Sequence, residues 1–567
     1  MLSYRKLAMR VLGRPLNTGG GNNSPRPASQ RAAALVLTAA LLTGAAFPAF
    51  ADTYYIEDGD ITISAGENGN DVTQNETTTK NDTDTVITNR HKDTASSNTV
   101  TIEAKDEDDK VEVTLKDVNI DASRGSEAAV SVTGKGDTNI ELDGDNELKS
   151  GAGHAGLEHN KTDTSGELTI QDKDNNGSLE AAGGFKGAGI GSAGSNDAQV
   201  KITGGNITAT SDDWGAGIGS GSYGTGTVEI TGGEINATGG YLGAGIGGGC
   251  NGSGNVTISG GTITAAGSDG AAGIGGGYYN GATVTITGDA VIKNTSSTKY
   301  GAGIGGGNGS DGNVTISGNA KIENATGGYG AAGIGGGAFS SPDKIGNGNV
   351  VIKDNAKIDN VQGGAYGAGI GGGIFGLSNV TIEGNTKVNA TGGAGGAAIG
   401  GGAGAENNSD NNGNQITIKS NENGSPTINA VGGGTDEGEE IVIGGAGIGA
   451  GCESDADADI TLEGKVTITA TAGKDNVAIG ANGIEQEFSG LAEGSSITRY
   501  GSEGNDITLP TDPVPAVPSS SGGGSAGASV QESVFPGLIV TDKDGQRISY
   551  TSIRGNNVLS LRVGRFT

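Results

Sequence analysis

GAGIGGGCNGSGNVTISGGTITAAGSDGAAGIGGG, residues 243–277, decides the fold. Ile246 and Ile274 occupy the same short motif 28 residues apart, with Val256-x-Ile258 and then Ile263 between them. Working outward, the motif isoleucine recurs at Ile190, Ile218, Ile304, Ile334, Ile370, Ile399, Ile448 and Ile479. The commonest step is 28 residues, with 29 to 31 nearby and larger steps of 36 and 49. Within one period the aliphatic points are spaced 12, 5 and 11, as from Ile190 to Ile202, Ile207 and Ile218. V-x-I has period 2, so both aliphatics face one side of a strand. The pieces between are Gly, Asn and Ser, which is turn chemistry.

No single period can bury its own aliphatics, but stacking one period on the next places isoleucine on isoleucine and closes the backbone ladders. The spacing predicts an all-β, right-handed parallel β-helix of about 12 turns with 28–30 residues per turn. A left-handed β-helix would want a hexapeptide period, and parallel crossovers are right-handed by preference. Upstream, Val113/Leu115 with Ile120 and Val130, then Ile140/Leu142 with Leu148 and Leu157, then Leu168/Ile170 with Leu179, extend the pattern.

The remaining chain divides around this block. Residues 1–51 join a basic stretch, the apolar run Ala32 to Phe47 and the small-x-small end Ala49-Phe50-Ala51. That is the layout of a secretory signal peptide; a retained signal anchor is the alternative, and the run is short for a span of ~20 residues. The expected division is 1–51 signal peptide, 52–98 cap and irregular segment, 99–507 β-helix, 508–532 Pro/Gly/Ser linker and 533–567 a small β-module. That module should hold two or three strands around Asp544-Gly545. Cleavage would leave no integral membrane segment and place the protein at the cell surface or in the medium. LPTDP at 509–513 is not a sortase signal.

Composition agrees. Of 567 residues 113 are glycine, but only 11 are proline and there is no G-X-Y register, which excludes collagen. Two cysteines cannot staple a chain of this length. A net charge of -30 argues against a nucleic-acid partner. Glycine at fixed offsets excludes disorder for the repeat and leaves it open for 65–98 and 508–532.

Three insertions interrupt the repeat: FSSPDKIGN at 339–347, AENNSDNNGN at 405–414 and TDEGEE at 435–440. Such loops carry binding or drift neutrally at exposed corners. The aromatics are not random. Phe185, Trp214, Tyr241, Tyr300, Tyr329 and Tyr366 fall four or five residues before a motif isoleucine; Tyr223, Tyr279, Phe339 and Phe375 fall five after one. Two columns therefore flank the motif strand. Rings in a row suit stacking on sugar faces, with Trp214 the leading position; the competing reading is a structural stack over the strand ends. Asp172, Asp174 and Asn176 match the first half of a calcium loop, although Gly183 stands where the closing Glu belongs. Asp455, Asp457 and Asp459 alternate and could share a Ca²⁺ ion; solvated acidic loops are the alternative. The outward threonines Thr257, Thr285, Thr315, Thr381, Thr417 and Thr461 are good strand-surface residues. His91, His154 and His159 pair with no nucleophile motif, and Cys250 and Cys452 share a repeat position six turns apart.

VEVTLKDVNIDAS (111–123), NIELDGDNELKSGAGHAGL (139–157) and the reiterated GAGIGGG…GNVTISGG resemble glycine-rich β-strand-repeat surface proteins of Gram-positive bacteria. They are also similar to the carbohydrate-binding, pectate-lyase-like β-helix domains of clostridial secreted proteins. The resemblance spans roughly 99–490. It implies binding of polysaccharide, and of calcium, without lyase activity, and it carries over no site residue. The expected function is an exported, non-catalytic β-helix that binds polysaccharide. The alternatives are a polysaccharide lyase or hydrolase on the same fold, and an adhesin or spacer stalk with protein partners.

Overall fold

The computed structural model describes residues 52–338, 341, 344–407, 413–434 and 443–514, with the backbone of 550–555 and 558–563. The signal-like segment, TDEGEE, Phe339, Asp544-Gly545 and most of the linker lie outside the described residues. Two units are present, Met1–Pro515 and Ala516–Thr567. In the second, Tyr550–Gly555 pairs antiparallel with Val558–Val563.

The first unit is a right-handed parallel β-helix with three walls. The V-x-I strands make the first wall: Gly226–Ile230, Gly254–Ile258, Ala282–Ile286 and Gly312–Ile316 stack in parallel. Their register sets Val228 on Val256 on Val284 on Val314. The third aliphatic makes the second wall, with Ile235 on Ile263 on Ile292 on Ile322. The motif isoleucines make the third, from two-residue strands such as Ile218–Gly219 and Ile246–Gly247. Every one of these isoleucines is fully buried, and each contributes about 1.5–3 kcal/mol by leaving water.

The stack has about 14 turns, against the 12 expected. Thr53–Tyr55 and Ile61–Ala65 already join the parallel ladders, through Thr85–Thr88 and Val100–Ala104. An antiparallel excursion, Asn70–Gln74 with Thr77–Asp82, separates them. Ile61, Ile63 and Ile87 are buried like their counterparts, but no glycine motif marks these turns. The turn at Leu157 departs too: Glu158 stands where later turns have glycine, and Leu157–Lys161 runs on to pair antiparallel with Asp197–Ile202.

At the far end Arg499 is fully buried. Its guanidinium donates to Asp512 at 2.7 and 2.9 Å, to Glu485 at 2.5 Å and to the Gln486 carbonyl at 2.7 Å. Ile479–Ala481, the last third-wall strand, folds back antiparallel on Ile484–Glu485. The buried ion pairs thus fasten the segment that covers the last turn.

Candidate functional site

The third wall is only two residues long because the chain reverses there. Ala216 donates to the Ser220 carbonyl, Ala244 to Gly248 and Ala272 to Gly276, at 2.9–3.0 Å. The glycine after each isoleucine drives the reversal. Gly219 has φ +133°, and a Cβ there would stand 2.0 Å from the Gly247 carbonyl oxygen of the next turn. An L side chain meets both a forbidden dihedral and a backbone atom.

This reversal brings together the two aromatic columns that the spacing set on opposite flanks of the strand. The arm before the isoleucine hydrogen-bonds to the arm after the isoleucine of the next turn. The Cys250 N–H donates to the Trp214 carbonyl at 2.6 Å, Tyr278 to Leu242 at 3.1 Å, Asn308 to Gly270 at 2.7 Å and Ala403 to Tyr366 at 2.8 Å. The columns share one edge of the β-helix.

Along that edge the rings meet in groups. Phe185 and Trp214 lie 5.4 Å apart, and the Lys186 ammonium sits 5.2 Å from both rings. Tyr329 touches Tyr300 at 6.2 Å and Tyr366 at 5.5 Å, both edge to face. Tyr279 packs on Tyr278 with centroids 3.8 Å apart, and Lys344 lies 4.2 Å over its ring. Tyr223, Tyr241 and Tyr329 are half or more exposed. Trp214 and Tyr366 are partly buried.

The backbone at these rings is unusual. Trp214, Tyr223, Tyr279, Tyr300, Tyr366 and Phe375 all have φ between +59° and +72°. Bulky L residues avoid this left-handed region at a cost of roughly 1–2 kcal/mol each. The equivalent corners of other turns carry Gly270, Gly330, Gly395, Gly309 and Gly404, or Lys186, Leu242, Ser195, Asn251 and Glu453, all at positive φ.

Spacing alone did not mark Tyr278 and Asn308. Both stand four residues after a motif isoleucine, the position that Cys250 and Cys452 share, and that common offset is the signal that leads to them. Burial pushes the Tyr278 hydroxyl up to about 12, and burial pushes both thiols up to about 11. The cysteines are free. Asp213, beside Trp214, is raised by burial and by Asp212.

The acidic candidates are arranged differently. Asp172 accepts from Asn176 N at 3.1 Å and Gly177 N at 3.0 Å, so its carboxylate closes its own turn. Asn176 donates instead to Asp143 at 3.3 Å, and Asp174 faces a cleft of about 290 Å³ with Glu112 and Glu141. These three side chains do not converge. Asp455, Asp457 and Asp459 are exposed and alternate with buried Ala456. Asp457 and Asp459 line a groove of about 810 Å³ with Asn349, Asn379 and Thr417 on the outer face of the first wall. Among the described residues no three His, Cys, Asp or Glu side chains gather as a metal-ligand set.

His154 and Glu158 pair at 2.8 Å, but the buried Glu158 is also held by the Ala155 N–H at 3.1 Å and by Asn160 at 2.9 Å. His159 is buried against the Gln199 carbonyl, and desolvation holds it below the usual histidine range. Among the described residues no helix is long and apolar enough to cross a membrane.

Residues 200–222, 228–250, 256–278 and 314–338 match the family described as Beta helix repeat. Each match begins at a first-wall strand and runs through the following motif isoleucine. Neither a curated protein nor a solved structure matches the chain. The ladders and these matches agree that the protein is built of β-helix repeats.

Proposed function

We propose that this β-helix protein is exported and binds polysaccharide, without catalysis, through its aromatic edge. One observation carries the reading: six large aromatic residues occupy left-handed corners that other turns fill with glycine or with Lys186, Leu242, Ser195, Asn251 and Glu453. Tyr223, Tyr279, Tyr300 and Phe375 are exposed, so burial offsets little of their strain. A backbone outlier kept at a surface, repeated at two positions of a repeat, supports a role in binding. Ring faces offer rigid apolar area, which suits the C–H face of a sugar. The arrangement of the signal-like segment supports export and a place at the cell surface. Ca²⁺ at Asp457 and Asp459 is an added proposal for the groove on the first wall, separate from the edge.

Trp214 is the only tryptophan, and its place on the edge makes its emission a direct probe. Titration with dextran, mannan, xylan, laminarin and polygalacturonate, with and without EDTA, should give a saturable emission change with at least one. Tyr300→Ala and Tyr366→Ala should lose retention of that polysaccharide. Silence of Trp214 and absence of retention across the panel would sink the reading. Unsaturated sugar ends formed on incubation would establish the lyase alternative.

A further inference from the structure

Hydrogen-bonding groups on the aromatic edge are left open in several places. Asn308 is only 6% exposed, yet its Oδ1 has no hydrogen-bond partner. Buried acceptors are nearly always satisfied, so an open one asks for an explanation. The Asn308 amide lies beside the Tyr278 hydroxyl, and that hydroxyl donates to the Tyr279 hydroxyl at 2.7 Å. The proton of Tyr279 is thereby left to donate outward. Gly270 makes the arrangement fit: a Cβ there would stand 2.4 Å from the Tyr278 ring. The ring therefore occupies the corner where Trp214 and Tyr300 stand in other turns. Ser222 Oγ and Asp213 Oδ1, two more buried polar atoms without a partner, lie on the same edge.

We propose that Asn308, Tyr278 and Tyr279 form a hydroxyl-reading subsite that takes a vicinal diol of a sugar ring. One hydroxyl of the diol donates to Asn308 Oδ1, and its neighbour accepts from the Tyr279 hydroxyl, whose ring faces are taken by Tyr278 and Lys344. A diol supplies a donor and an acceptor on adjacent carbons, which is the complement of this chain of groups. The subsite rests on the polysaccharide reading above and adds to it what the edge recognises.

The test uses Asn308→Leu, which keeps bulk and removes both the open acceptor and the amide beside Tyr278, and Tyr279→Phe, which keeps the ring and removes the hydroxyl. The probe is the panel polysaccharide that wild type retains best, together with its O-methyl ether. Exchanging an unsatisfied buried acceptor for an apolar group is neutral or favourable to folding. Losing the amide beside Tyr278 opposes that gain, so Asn308→Leu should melt near the wild-type temperature and bind at least fivefold more weakly. Tyr279→Phe should bind two- to fivefold more weakly, and wild type should lose the O-methyl ether. Unchanged binding in both variants, or equal binding of the ether, would overturn the subsite while leaving ring stacking in place. A lower melting temperature for Asn308→Leu with unchanged binding would assign the acceptor to internal water. Failure of wild type to bind any panel member would overturn the polysaccharide reading itself.

Discussion

The first and third walls both stack isoleucine on isoleucine but answer to different physics. In the first wall Val314 and Ile316 stack on Val350 and Ile352, and stability comes from apolar area removed from water. In the third wall a single isoleucine per turn is flanked by glycines, and the geometry comes from what is missing. One wall tolerates changes in its outward residues; Thr315 faces Val351 without disturbing the register. The other tolerates none at its glycines, yet accepts whole aromatic rings at its corners. A repeat of low complexity thus separates the part that holds the fold from the part that presents side chains.

The largest effect that breaks this comparison is Ile316→Asp. Ile316 is fully buried at mid-stack, and an unpaired carboxylate there should cost at least ~4 kcal/mol and abolish cooperative unfolding. A melting curve like wild type would refute the core. Gly335→Ala tests the other wall: φ is +133° and the new Cβ would lie 2.1 Å from the Gly371 carbonyl. Its loss should exceed ~1 kcal/mol although only a methyl is added.

Comparable in size to the core substitution is the end of the stack. Arg499→Met should cost about 3–5 kcal/mol, because it strands the buried Asp512. Hydrogen exchange should rise around Ile479 and Ile497 while the turns at Ile246 and Ile274 stay protected. Uniform loss of protection would mean that the end is not a separate cooperative element.

The cysteines give a smaller, pH-dependent effect. Both thiols have folded values near 11, raised by burial from 9.0. A raised folded value favours the neutral thiol, so the contribution is intact below pH 9 and fades as pH rises toward 11. Between those limits the melting temperature of wild type should fall more steeply than that of the Cys250→Ala, Cys452→Ala double variant. In denaturant both thiols should alkylate without prior reduction, since six turns at ~4.8 Å separate them by roughly 29 Å.

The ladders were legible in the sequence residue for residue. Ile190, Ile218, Ile246 and Ile274 pair as the 28-residue step demands, and the weaker turn of Ile140, Leu148 and Leu157 is also in register. Hydrophobic spacing reports which residues are stacked, because stacking is what spacing is for. It does not report backbone direction within a glycine run, so the reversal that joins the two aromatic columns was invisible. The first turns escaped for a related reason: Ile61 and Ile87 are buried without glycine neighbours to mark them. Arg499 is a lone charge in the sequence, and only the fold supplies Glu485 and Asp512.

The smallest predicted effect is the most discriminating, because it asks whether the rings serve the fold at all. Tyr300 and Tyr329 touch each other in successive turns, and both are exposed. They differ in backbone: Tyr300 has φ +59°, whereas Tyr329 is not left-handed. Glycine raises the entropy of the unfolded chain at either site, at about 0.5–1 kcal/mol. At Tyr300 it also releases left-handed strain of roughly 1–2 kcal/mol, and at Tyr329 there is none to release. Tyr300→Gly should therefore be as stable as wild type or more so, and Tyr329→Gly should be less stable by about 1 kcal/mol. Both should lose polysaccharide retention if the edge binds sugar. A stable Tyr300→Gly that no longer binds would show that the ring is kept against the interest of the fold. Equal destabilisation of the two, with retention unchanged, would return the column to a purely structural stack.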